Sequence, residues 1–97
     1  LDQKALVRAE WGIKTLEQQL EELTARLGPR RDWFELRCYV WSFEEFKKLL
    51  EKYGVPQTAK NLEVHGVKVH EDKTLVPGTV EVRLVPKIGQ PYGSMIG

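Results

Sequence analysis

Cys38, His65 and His70 are the side chains with most chemistry to offer, and their spacing withholds it. The two histidines stand five apart in an apolar, strand-like stretch, and no cluster of Cys, His or carboxylates completes a metal shell. A structural zinc site needs four ligands at recognisable spacing, so both read as exposed strand histidines. Cys38 is the lone cysteine and cannot form an internal disulfide. It sits in an apolar alternation with no activating partner and reads as a small core residue rather than a nucleophile, which leaves the redox compartment open. The sequence carries no Gly-x-Gly-x-x-Gly, no Walker loop and no Gly-x-Ser-x-Gly elbow. Its carboxylates lie mostly on expected helix surfaces. No catalytic residue, metal or cofactor is expected, and an enzyme would need a pocket assembled across subunits.

The aromatic side chains offer recognition instead. Trp33, Tyr39 and Trp41 fall on one side of a period-two stretch, and Trp11 stands alone near the amino terminus. An aromatic sheet face can stack single-stranded RNA bases. Glu35 shares this face, and fifteen basic against fourteen acidic residues leave a net charge of +1, without the basic excess of a nucleic-acid binder. Tryptophan and tyrosine are also favoured at protein interface hot spots. Trp11, Trp33, Tyr39 and Trp41 are therefore the expected partner-binding residues, with a protein partner preferred and an RNA-binding module as an alternative.

The elements that would position them begin with a long helix, from about Asp2 to Leu27 and roughly 40 Å in length. Leu6, Ala9, Ile13, Leu16, Leu20, Leu23 and Leu27 fit heptad a and d positions without a break, the spacing of a coiled-coil seam. These seven are the expected oligomerisation residues. Glu10–Lys14 and Glu22–Arg26 lie four apart in the favourable order. The e and g positions carry no strong charge code, so strand number and orientation are weakly specified. A homo-oligomer, dimer before trimer, or pairing with a related coiled-coil protein is expected. Gly12 costs such a helix about 1 kcal/mol relative to alanine, and Trp11 lies outside the seam, as does Val7 one turn earlier. Gly28 and Pro29 stop the helix.

After a polar link at 30–32, Phe34, Leu36, Cys38 and Val40 alternate with Glu35, Arg37 and Tyr39, a strand signature. Ser42 and Glu45 form a capping box for a helix from Phe43 to about Tyr53, burying Phe46, Leu49, Leu50 and Tyr53. Gly54 caps it and Pro56 prevents its resumption. A second strand is expected from Leu62 to His70, with its phase slipping at Gly66 as at a β-bulge. A third, over 79–86, places Val80, Val82 and Leu84 inward, with Pro86 at its end or on an edge. The last two strands should form a hairpin, and the crossover between the first two should make them parallel or near neighbours.

The expected fold class is thus α+β: a coiled-coil helix (1–28), a β-α-β-β, half ferredoxin-like interaction domain (33–86) with a three-stranded sheet and one packing helix, and an extended or flexible tail (87–97). The tail's Ile88, Tyr92, Met95 and Ile96 suggest that it lies along a neighbour. Once the stem is set aside, roughly 70 residues make a marginal domain, for which oligomerisation is a common remedy. No run approaches the roughly 18–20 apolar residues of a membrane span. Opening on Leu1 rather than methionine, the chain reads as a fragment from which an upstream targeting or membrane segment can have been lost.

The stretch Phe34-Glu-Leu-Arg-Cys-Tyr-Val-Trp-Ser-Phe-Glu-Glu-Phe-Lys-Lys-Leu-Leu-Glu-Lys resembles the strand-to-helix passage of PilO-type pilus alignment proteins and of the M component of type II secretion systems. Asn61-Leu-Glu-Val-His-Gly-Val-Lys-Val and Gly78-Thr-Val-Glu-Val-Arg-Leu resemble their closing hairpin. The resemblance covers about Trp33 to Pro86. It implies a non-enzymatic assembly protein on the periplasmic face of an inner membrane, joined to the membrane only through a segment outside this chain. A virion or phage structural subunit with a coiled-coil stem is the competing expectation, in a virion or the cytoplasm.

Overall fold

In the computed structural model the described residues are 2–55 and 62–87. Leu1, Pro56 and the expected tail from Ile88 onward lie outside them. Helix α1 spans Gln3–Leu27. Asp2 caps it by accepting from the Ala5 amide at 2.7 Å, satisfying one of the donors that an α-helix leaves orphaned at its start. Gly28, at a φ of 55°, ends it and opens a 3-10 turn over Gly28–Trp33. Strand β1 follows at Phe34–Val40 and helix α2 at Phe43–Lys52. Ser42 caps α2 through the Glu45 amide at 3.4 Å. The Glu45 carboxylate does not close the expected box and instead accepts from the Trp41 indole at 2.5 Å. Gly54 and Val55 donate back to the Glu51 and Leu50 carbonyls, a Schellman ending that uses the positive φ of Gly54.

The remaining strands are β2 (Glu63–Val64), β3 (Val67–Glu71) and β4 (Val80–Pro86). The sheet has four strands in the order β2-β3-β1-β4, so the fold is α+β as expected but the three-stranded, half ferredoxin-like detail is not matched. β1 and β3 are parallel neighbours with α2 between them in sequence. β3 and β4 do not form the expected hairpin. Asp72 donates to the Val40 carbonyl, the connection passes the end of β1, and β4 pairs antiparallel on the far side of β1. The phase slip at Gly66 is likewise not a bulge. His65 and Gly66 both have positive φ, 54° and 78°, which is the mark of a two-residue hairpin turn joining β2 to β3.

One core joins everything. Ala9, Ile13, Leu16 and Leu20 of α1 lie in a single cluster with Cys38 and Val40 of β1, Phe46, Leu49 and Leu50 of α2, and Val64, Val67 and Val69 of β2 and β3. This corrects the coiled-coil expectation. The stripe of Ala9, Ile13, Leu16, Leu20 and Leu27 is buried inside its own chain, while Leu6 and Leu23 are half-buried at its margins. The reason lies at the g positions. Ala5 and Gly12 are also buried, so the apolar face is broader than a two-position seam and suits a sheet. A Cβ on Gly12 would stand 2.8 Å from the Val80 Cβ, so the bare glycine lets α1 settle against β4. A Cβ on Gly78 would collide with the Ala5 carbonyl oxygen, at a φ of 91° that itself favours glycine.

From Gly12 over Val80, α1 runs obliquely until Leu20 to Ala25 border His65, beyond the opposite edge. The far end of β4 is left uncovered. Val80 and Val82 pack against the core as expected, but Leu84 is 38% exposed.

Candidate interaction surfaces

The sheet face away from the helices is built from the odd residues of β1. Arg37 is in register with Lys68 of β3 and Arg83 of β4, and Tyr39 with His70 and Glu81. Three cations in one row would repel, and neighbouring carboxylates offset them. Arg37 Nε donates to Glu35 at 2.7 Å, and Arg83 donates to Asp72 at 3.1 Å and to Glu81 at 3.0 Å. The hydrogen bond from Arg37 holds the Glu35 carboxyl below its usual range, helped by the charges of Arg37 and Lys68. Asp72 is held low first by the Thr74 hydroxyl and amide and then by Arg83. The Tyr39 ring stacks on His70 at 5.3 Å on the β3 side, and the Arg83 guanidinium lies 4.1 Å from its centroid on the β4 side. His70 Nε2 is buried with no hydrogen-bond partner among the described residues.

The structure disperses the expected aromatic trio. Tyr39 is on this open face, flanked on both sides. Trp41 is buried: β1 stops at Val40, and the corner into α2 turns the indole into the core, edge-on to Phe46 at 6.3 Å and donating to Glu45. Its expected role as a partner-binding residue is corrected on that ground. Trp33 belongs to the 3-10 turn before β1 and is 39% exposed.

Trp11 projects from the face of α1 opposite the core. It is 62% exposed, with Val7 also exposed one turn earlier. Arg8, one residue after Val7, donates to the Pro77 carbonyl at 2.5 Å and ties this part of α1 to the loop before β4. On the other flank, Tyr53 donates to Glu10 at 3.0 Å and joins α1 to α2. Towards the far end, Glu17, Leu20, Glu21, Thr24, Ala25 and His65 line a shallow groove.

The edge position of β4 is one of the two placements that Pro86 signals from sequence, although its neighbour is β1 and not the expected β3. The Glu10–Tyr53 bond has no sequence signal, because its ends lie on different helices. Among the described residues, no group of three or more His, Cys, Asp or Glu could hold a metal ion. Cys38 is enclosed, and burial pushes its thiol up to about 12, far from a reactive thiolate. Among the described residues no helix is long and apolar enough to cross a membrane. No family model matches the chain, and no curated protein or solved structure matches it.

Proposed function

We propose that this chain is a non-enzymatic assembly module, a small α+β body that makes protein–protein contacts within a larger complex. The observation that carries this reading is the outward pair Val7 and Trp11. Two large apolar side chains one helical turn apart stand in water on a helix whose other face already fills the core. An exposed tryptophan contributes nothing to that core, and tryptophan is the side chain most enriched where binding energy concentrates. Lys4 and Arg8 lie on neighbouring positions of the same helix and give the pair a basic flank suited to an acidic partner surface, while Lys14 is paired with Glu10. A pilus or secretion platform at an inner membrane, or a virion, would use such a module. The open sheet face supports an RNA partner less well, because Tyr39 is already flanked by His70 and Arg83 and the guanidinium of Arg83 is engaged by carboxylates.

A photo-cross-linking amino acid at position 11, expressed in the source cells, tests the reading. A discrete protein adduct is expected, absent when the same group replaces Gln18 on the same helix. Its identity separates an envelope complex from a virion. Equal, diffuse labelling from both positions would overturn the proposal, and an RNA adduct would replace it with the nucleic-acid reading.

A further inference from the structure

The two edges of the sheet are unequal. β2 closes one with two residues, whereas β4 presents seven, and among the described residues no strand pairs with its outer side. The hydrogen-bonding direction along β4 follows from one contact. Lys87 donates to the Trp33 carbonyl at 3.0 Å, one step beyond the pairing of Phe34 with Pro86. Opposed residues in an antiparallel pair alternate between exchanging both bonds and exchanging none. Glu81, Arg83 and Val85 therefore bond inward to β1, while Val80, Val82 and Leu84 turn their N–H and C=O groups outward. Pro86 falls in the outward set, where its missing N–H removes nothing from the sheet.

Between Val80 and Val85 this edge carries no proline, lysine or bulge, the devices that usually discourage pairing. Its side chains discriminate sharply among ways of meeting an identical strand. Centring a two-fold antiparallel pair on Glu81 sets Glu81 against Glu81, and centring it on Arg83 sets Arg83 against Arg83; both oppose like charges. Centring it on Leu84 sets Val82 against Pro86, which has no N–H to give. Centring it on Val80 drives the partner into Gly78, which already abuts Ala5. The register centred on Val82 alone opposes no like charges and leaves no outward group of Val80, Val82 or Leu84 facing proline, and it reaches Gly78 only at its ends, beyond the strand, where Pro86 lies opposite. Every outward group of Val80, Val82 and Leu84 then finds a mate, and Glu81 faces Arg83 in both directions. Glu81 and Arg83 also sit at a non-hydrogen-bonded pair, where opposed side chains come closest.

We propose that β4 pairs with β4 of a second copy of this chain, antiparallel and centred on Val82, joining the two four-stranded sheets into one. Leu84 supplies the apolar part of the contact. It is exposed because α1 leaves that end of β4 bare, and in the pair it lies beside Val80 of the second copy, the residue on which that copy's Gly12 packs. The inference names one partner within the assembly reading above and rests on it. The two fail separately: a protein adduct at position 11 needs no second copy, and self-association of the purified chain needs no other protein.

Sedimentation equilibrium of the purified chain, from micromolar to millimolar, is the test. The mass should rise toward twice that of the chain. Glu81→Lys and Arg83→Glu should each weaken association about ten-fold or more, since each sets two like pairs across the axis. An equimolar mixture of the two variants should recover it. In the mixed pair the lysine introduced at position 81 of one chain faces the glutamate introduced at position 83 of the other, and the unchanged Arg83 faces the unchanged Glu81. A single mass at every wild-type concentration, or variants that associate as the wild type does, would overturn the proposal. Should a variant lose its circular dichroism, hydrogen exchange on the wild type decides: the Val82 amide should exchange more slowly as concentration rises, and a rate independent of concentration refutes the pairing.

Discussion

Leu16 and Trp11 are five residues apart on one helix and have opposite fates. Leu16 is 1% exposed beneath the sheet, whereas Trp11 is among the most exposed apolar side chains described. A ranking by hydrophobicity would have buried both. The difference teaches that the inner face is selected by fit as much as by apolar character. Ala5, Ala9 and Gly12 make the amino-terminal half of that face flat, and a flat helix face lies against strands where a ridged one would stand off. Trp11 stands on the side that the flat face leaves turned to solvent.

The largest expected effect breaks the inner face. Leu16→Asp forfeits about 1.5–3 kcal/mol of apolar burial and adds a desolvated carboxylate costing several kcal/mol more. A domain of this size holds roughly 5–15 kcal/mol in total. The variant should lose its cooperative thermal transition by circular dichroism, while Trp11→Ala should unfold within about 0.5 kcal/mol of the wild type. A Leu16→Asp chain that stays folded and only loses oligomeric mass would restore the inter-chain seam and overturn the burial described above.

A smaller effect sharpens the contrast at Gly12. Alanine there gains about 1 kcal/mol of helix propensity, but its Cβ meets the stiff, branched Val80 at 2.8 Å and α1 must lift. Overpacking of that kind costs typically about 1–3 kcal/mol. Gly12→Ala should therefore lower the urea midpoint, and Val80→Gly in the same chain, which removes the Cβ that the alanine would meet, should convert the change at Gly12 into a gain. Equal effects in both backgrounds would show that Gly12 is not there to admit β4.

Much of this was legible. The period-two run of β1, the Ser42 cap and the stops at Gly28 and Gly54 are local signals, and the structure follows them. The a/d spacing of α1 was real too, but spacing reports only that one face is apolar; whether a helix or a sheet receives it depends on residues far along the chain. Small, uncharged Ala5 and Gly12 at g positions were the readable clue that a broader face, and so a sheet, would receive it. Strand order was harder to read for the same reason, since nothing local to Val80–Pro86 shows that β1 will come between it and β3. The aromatic trio was misread at a corner. Alternation carried past Val40 places Trp41 outward, but the strand ends there and the backbone bends.

The smallest expected effect lies on the border between the two faces of α1, at the bond from Tyr53 to Glu10. The Glu10 carboxyl is held below its ordinary 4.5, first by the hydrogen bond from Lys14 and then by that from Tyr53. A depressed carboxyl stabilises the fold above its unfolded pKa, and the contribution is lost as pH falls through the folded value. Tyr53 is shifted the other way, above its ordinary 10.0, by desolvation and by Glu10. Its share is complete below the unfolded value and is lost as pH rises through the folded one. The link between α1 and α2 is thus whole across neutral pH and weakened at both ends. Glu10→Gln should lower the melting temperature slightly at pH 7, and the gap should close as pH falls through the depressed pKa of the wild-type carboxyl, where it too is protonated. A gap that persists undiminished at pH 3 would mean that Glu10 acts through packing, not charge, and that the border of α1 belongs to its inner face.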